Sequence, residues 1–324
     1  MKSLRNGVFA SLLSLTATGA HAQADAQPVS IVVPQPVGNP TDGVARKLQP
    51  LLQAALGRTI IVENQPGAGG SIGTQRVLNA PADGRMILIA SQTEPILTPA
   101  TMQHVKYRPE HLRAVAVVAR LPYILTGGNA LAAKDLGELT RLARDQGDKG
   151  LNFGHIGPGS MIHLLGEQWA RQSEFKLNHV VYRGVPPVTQ DLMGGQIDLS
   201  FLPLGGSTLD LIESGRIRAY ATTAAAPSAK LPQVPPLSAA SEQLRDFVYG
   251  TWIAFFVPAK TPDATVANLN RAIVDAMKDA SFREYVMETG MELATQNTVA
   301  DMRDFYEAET SLYQGLAQKV AVEQ

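Results

Sequence analysis

The sequence predicts an α/β protein of two lobes built around a largely parallel sheet, and three observations predict it. Short β-branched runs alternate with stretches of helical periodicity, separated by glycine or proline turns. Two apolar runs around Arg120-Leu-Pro122 are answered by a third at Tyr249–Val257, so that two crossing strands, one going and one returning, make the middle third an inserted lobe. A chain of 324 residues is also, on size alone, better accommodated as two lobes than as one.

Val29-Ser-Ile-Val-Val33 is a continuous β-branched run of the kind buried on both faces of a sheet, and Gly43–Leu56 carries apolar residues at helical spacing. Ile60–Glu63 reads as the next strand, Ile72–Leu78 as a second helix, and Met86–Ala90 as a third strand after the Asp83-Gly84 turn. Ala114–Ala119 and Tyr123–Thr126 are the outgoing strands, followed by a helical stretch at Ala132–Asp145. The inserted lobe then holds strands at Leu151–Phe153, His179–Tyr182, Ile197–Phe201 and Ala219–Thr223, with helices at Met161–Gln172 and Val188–Met193. After the proline-rich Pro227–Pro236 and the returning strand, helices at Asp263–Lys278, Ser281–Thr289 and Val299–Leu316 fold back on the first lobe. The expected division is 23–125 with 250–324 for the first lobe and 126–249 for the second.

Composition narrows the function classes. Lys and Arg total 28 against 29 Asp and Glu, a net charge of −1, which offers no global field to nucleic acid or anionic lipid. Absence of cysteine removes disulfide scaffolds, zinc ribbons, iron–sulfur clusters and thiol nucleophiles. Lys2 and Arg5 precede the apolar Val8–Leu15, and Ala20-His21-Ala22 has the small-x-small form of a cleavage site, so residues 1–22 read as a secretory signal peptide. No cysteine follows that run to carry a lipid, and no later segment approaches the ~20 apolar residues of a membrane span. An exported protein is expected, whose anion affinity arises locally rather than from its whole surface.

Four stretches carry candidate chemistry. Val33-Pro-Gln-Pro-Val-Gly-Asn-Pro-Thr-Asp42 runs from a strand end into a helix, where unpaired N–H groups suit an anion, with Thr41 or Asp42 as N-cap; an ordinary turn is the equal alternative. Glu63–Thr74 is glycine-rich, but it lacks the lysine of a phosphate loop and its GxGxxxG spacing misses the dinucleotide fingerprint, so close backbone approach is the better explanation. Gly154-His-Ile-Gly-Pro-Gly-Ser160 leads into a helix that Ser160 can cap while Gly157 and Gly159 let the backbone curl round a small anion; it lacks the Gly-x-Ser-x-Gly of a nucleophile elbow. Arg183, before a Gly-Val-Pro-Pro turn, suits a carboxylate, against an alternative role on the surface or in an interlobe ion pair. The histidines of the exported chain, His104, His111, His155, His163 and His179, show no ligand spacing and are expected to be structural, so no metal site is expected.

In this order, Val33–Asp42, Val62–Gly70 with Gly73, Asp83-Gly84, Phe153–His163, His179–Gly184, Asp191–Asp198, Leu231–Pro235 and Trp252 with Pro258–Pro262 resemble the landmarks of the Bug family, the extracytoplasmic solute receptors of tripartite tricarboxylate transporters. The resemblance implies a type II periplasmic-binding-protein (Venus-flytrap) fold, hinged by two crossing strands, that closes on a small organic carboxylate and has no catalytic residue and no cofactor. It implies as partners the membrane components of the transporter, a monomeric receptor, no nucleic acid and a periplasmic location. Carried over by position, the ligand contacts are Gly38, Asn39, Thr41 and Asp42 on one side and Gly157, Gly159 and Ser160 on the other, with Ser91 and Gln92 in addition. The chain departs from the family where Gln35 replaces an aromatic residue, Val37 a proline and Asn39 a glycine, and where His155 stands at a usually small position. Gln35, His155 and Arg183 therefore complete the candidate contacts. Two other readings compete: a secreted α/β hydrolase using Ser160 with a histidine, and an orphan receptor acting in signalling.

Overall fold

Residues 27–205 and 207–321 are described by the computed structural model; the signal peptide expected at 1–22 lies outside the described residues. The β-branched runs form β1 (Val29–Val33), β2 (Ile60–Asn64) and β3 (Met86–Ala90), with α1 (Pro40–Leu56) and α2 (Ser71–Asn79) between them. A π-turn at Thr93–Leu97 leads into the short α3 (Thr98–Thr101), and then comes β4 (Leu112–Gly128). The middle third contains α4 (Leu136–Asp145), β5 (Leu151–His155), α5 (Met161–Gln172), β6 (Leu177–Val181), α6 (Val185–Met193), β7 (Leu199–Pro203), α7 (Ser207–Glu213) and β8 (Ile217–Thr222). The chain ends with β9 (Gly250–Pro258), α8 (Asp263–Ala276), α9 (Ala280–Glu288), the two-residue β10 (Glu292–Leu293) and α10 (Val299–Ala321).

The strands lie in the order β2-β1-β3-β9-β4-β7-β5-β6, with β8 and β10 also paired to β4. Pairing is parallel in the two wings, β2-β1-β3 and β7-β5-β6, but antiparallel wherever β4 or β9 takes part. The sheet is thus mixed rather than largely parallel: a chain that leaves one lobe and comes back beside itself must run in opposite directions. The two outgoing runs are one strand, since Arg120-Leu-Pro122 stays extended. β4 pairs with β9 from Leu112 to Pro122 and changes partner at Tyr123, from which it pairs with β7 and β8. β9 remains wholly beside β3 and the first part of β4. The return is made instead at Thr223, whose N–H donates to the Tyr123 carbonyl, whose hydroxyl accepts from the Tyr123 N–H, and whose carbonyl accepts from the Tyr249 N–H.

One core of buried apolar residues runs through both wings, and a smaller one (Ile124, Leu204, Leu209, Leu231, Val234) sits under the proline-rich segment. The C-terminal helix α10 packs on β4 and also reaches α5. It is fixed at β9 by the Trp252 indole N–H donating to Glu309 (2.8 Å) and by the Tyr313 hydroxyl donating to the Gly250 carbonyl (3.0 Å).

Helix starts differ from expectation at prolines. α1 begins at Pro40 and α6 ahead of Pro186 and Pro187, because proline is pre-organised for the first helical turn and lacks the N–H that would go unpaired there. The N-cap of α1 is accordingly Asn39, not Thr41 or Asp42. Asp42, 3 % exposed, sits in the first turn and reaches back: Oδ2 accepts from the Gly38 N–H (3.0 Å), while Oδ1 accepts from Arg46 Nε (3.0 Å) and Asn64 Nδ2 (2.9 Å). Burial alone would raise its carboxyl, but these donors outweigh burial and hold it below the usual range.

A depressed folded-state pKa contributes stability above the unfolded value of about 4 and loses it as pH falls through the folded value. Asp42→Ala is therefore expected to cost about 1–3 kcal/mol at pH 7. Urea unfolding of wild type and variant measures this, and the gap should narrow as pH falls below about 4, whereas a pH-independent gap would remove the carboxylate from the account.

Candidate functional site

Strand ends and helix starts meet where the two wings join, and between them lies a cleft of about 780 Å³. Its first wall is the β1–α1 loop (Pro34–Pro36, Asn39–Thr41), the glycine loop Pro66–Gly70, and Ser91, Thr93 and Glu94 beyond β3. Its second wall is Ile156–Pro158 with Ser160–Ile162, and the turn Val181–Val185. Leu121 and Tyr123 of β4 and Thr251 and Ile253 of β9 line it where the wings join. The walls touch directly: a Cβ on Gly184 would lie 2.8 Å from Pro36 Cγ, and one on Gly159 only 2.2 Å from Thr101 Oγ1. Both glycines have positive φ, so neither position accepts a larger residue without strain.

Of the residues singled out from the sequence, Gln35, Asn39, Thr41, Ser91, Gly157, Ser160 and Arg183 line this cleft together. Gly38, Asp42, Gln92, His155 and Gly159 do not. Gly38 and Asp42 are joined to each other in the α1 cap. Gln92 is fully buried where the wings join; its Oε1 accepts from the Thr251 hydroxyl (2.8 Å) and its Nε2 donates to Tyr123 Oη (3.3 Å). His155 lies behind the second-wall loop, and its Nδ1 accepts the Gly157 N–H (3.2 Å). The Gly159 N–H likewise goes to His163 Nδ1 (3.2 Å).

Ser160 is the N-cap of α5, accepting from the His163 N–H and donating its own proton to the Gly157 carbonyl (2.7 Å). No imidazole accepts that proton among the described residues, so the nucleophile–base contact of a hydrolase is not formed. Arg183 is exposed and is the one cation among the described cleft residues; no carboxylate partners it there.

Reading the sequence missed Glu94, Thr101 and the placement of the glycine loop. Glu94 is buried; its Oε1 accepts from Gln35 Nε2 (2.6 Å) and its Oε2 from the Ser91 N–H and hydroxyl. Burial pushes its carboxyl up, against the pull of those donors. The glycine loop packs closely, as expected from its composition: a Cβ on Gly70 would sit 2.4 Å from Glu94 Cγ.

A second cluster lies just behind the loop that carries Ser160. The rings of His155, His163 and His179 have centroids 4.7, 5.1 and 5.1 Å apart. Burial lowers His155 and His163 to about 4, leaving both neutral at pH 7. His179 Nε2 lies 2.6 Å from Glu167 Oε1.

Comparison with known proteins adds the family. The profile described as tripartite tricarboxylate transporter family receptor matches residues 44–320. A UPF0065 protein in the tcbD-tcbE intergenic region of Pseudomonas sp. (strain P51) is 30 % identical over 96 % of this chain and 93 % of its own. Protein BugT of Bordetella pertussis is 30 % identical over 86 % of this chain and 85 % of its own. Among solved structures, the periplasmic binding protein BugD superposes with TM-score 0.84 at 28 % identity, covering 91 % of this chain and 98 % of that one. MatC from Rhodopseudomonas palustris with bound malate gives 0.83 at 27 % identity, covering 90 % and 98 %. R. palustris Rpa4515 with adipate gives 0.84 at 26 % identity, covering 91 % and 97 %. The two-lobed α/β architecture, the cleft between its walls and a profile match over most of the chain lead to one conclusion: this protein belongs to the tripartite tricarboxylate transporter receptor family.

Proposed function

We propose that this chain is a periplasmic receptor that closes on a small organic carboxylate and presents it to the membrane components of a tripartite tricarboxylate transporter, without chemical turnover. The observation that carries this reading is the guanidinium of Arg183, the one cation and without a carboxylate partner among the described residues of a cleft whose two walls each bring up a helix N-terminus, at Asn39–Thr41 and at Ser160–Ile162. The malate and adipate held by two similar receptors support a carboxylate of that size. The lobes divide inside β4 and ahead of β9, at 23–125 with 250–324 against 126–249, and the receptor acts as a monomer delivered by its signal peptide.

A ligand that touches both walls favours the closed state by the difference in its contacts. Arg183, Thr41 and Asn39 serve its carboxylate. The buried Glu94, with Gln35 and Ser91, suits a hydroxyl or amine donor on the ligand better than a second carboxylate. Ser160 acts first as a cap and meets the ligand only by releasing the Gly157 carbonyl.

Calorimetry against mono-, di-, hydroxy- and aromatic carboxylates, run beside an esterase screen, tests the reading. Arg183→Ala is expected to weaken the best ligand about tenfold or more, the roughly 1.5–3 kcal/mol of a hydrogen bond to a charged group; unchanged affinity would remove Arg183 from the site. Ser160→Ala is expected to lower stability by about 0.5–2 kcal/mol through loss of the cap, read by denaturant unfolding. Ester turnover in the wild type that Ser160→Ala abolishes would overturn the receptor reading.

A further inference from the structure

The three histidines behind the second wall come from different elements: His155 ends β5, His163 stands in the first turn of α5, and His179 lies on β6. One ring nitrogen from each lies within 4.8 Å of the other two. His155 is 1 % and His163 8 % exposed. Two of the buried nitrogens, His155 Nε2 and His179 Nδ1, have no hydrogen-bond partner among the described residues. An orphaned polar atom in a core costs about 1–3 kcal/mol, and here two of them belong to one cluster.

We propose that His155, His163 and His179 form a binding site for a divalent transition ion of the zinc type, with Glu167 orienting His179. Imidazole suits such an ion, and three histidines with a fourth position left for water make a tetrahedral set. Metal–nitrogen bonds of about 2.0–2.1 Å in that geometry set the donors about 3.4 Å apart, so the rings need to draw in by no more than about 1.4 Å. Glu167 Oε1 accepts the Nε2–H of His179 at 2.6 Å, which leaves the lone pair on the orphaned Nδ1; this is the carboxylate–histidine–metal arrangement that fixes a tautomer for coordination.

Loading such a site changes the adjacent loop. A neutral imidazole carries one proton, and His155 and His163 now accept backbone N–H groups at Nδ1, so their protons sit on Nε2. A metal at Nε2 moves each proton to Nδ1 by exchange through solvent, with none lost overall. Nδ1 then no longer accepts, and the N–H groups of Gly157 and Gly159 are released. Gly157 lines the cleft, so the ion would govern how many backbone donors that wall offers; this consequence, unlike the site itself, rests on the carboxylate reading above.

The test uses the exported chain without an affinity tag, dialysed against chelator and titrated with Zn²⁺ by calorimetry and with Co²⁺ by visible absorption, no carboxylate being present. One equivalent of Zn²⁺ and the absorption bands of tetrahedral Co²⁺ are expected, with the Gly157 and Gly159 amide resonances moving on loading. His179→Ala should abolish binding, and Glu167→Gln should weaken it about 10- to 100-fold. Replacing the exposed His104 or His111 by alanine should change nothing. Unfolding midpoints taken without metal establish that each variant is folded. Wild-type protein that takes up no stoichiometric Zn²⁺ or Co²⁺, or a folded His155→Ala that takes up as much as wild type, overturns the proposal. Because no carboxylate enters the experiment, its failure leaves the receptor reading untouched.

Discussion

β4 is the constraint on which the other features hang. In its first part it carries β9 on one edge and touches β10; from Tyr123 onward it carries β7 and β8. The β7-β5-β6 wing is therefore hydrogen-bonded to this 17-residue strand directly and the β2-β1-β3 wing through β9, so the two wings meet along it at Pro122 and Tyr123. Proline lacks an N–H, so the ladder is thinnest where the partners change. The Gln92 amide, held by Thr251 and Tyr123, and the Thr223 backbone, held by Tyr123, span this same place. The junction thus joins the wings and supplies one face of the cleft.

Charge in the cleft is handled locally. The chain as a whole is nearly neutral, and helix N-termini with one guanidinium suit an anion at short range without drawing every polyanion in solution. Glu94 opposes this within the same cavity. A buried carboxyl wrapped by Gln35 and Ser91 is costly to ionise, and its place in the cleft wall suits discrimination between ligands rather than affinity alone.

Local periodicity made much of the fold legible: β1, β3 and α5 occupy the residues expected from their apolar patterns. The errors have local physical causes. Proline moved two helix starts forward, and an arginine–leucine–proline interruption looked like a break but stayed extended. In the candidate site, the loops and the Ser160 cap of α5 were readable because glycine and serine chemistry is local, whereas the start of α1 was misplaced by Pro40. Side-chain direction was not: Ser91 and Gln92 are neighbours beyond one strand end, yet one lines the cleft and the other is buried behind it. The histidine cluster was invisible because its members, unremarkable in spacing, converge only once β5 and β6 pair and α5 packs over them.

The C-terminal helix α10 is pinned to β9 through Trp252 and Tyr313, yet it also leans on α5, the helix that Ser160 opens. Were the walls to part, one of those two contacts would have to give. Opening of the cleft would then reach that helix on the far side of the molecule, so that the state of the cleft and the setting of its C-terminal helix are mechanically joined.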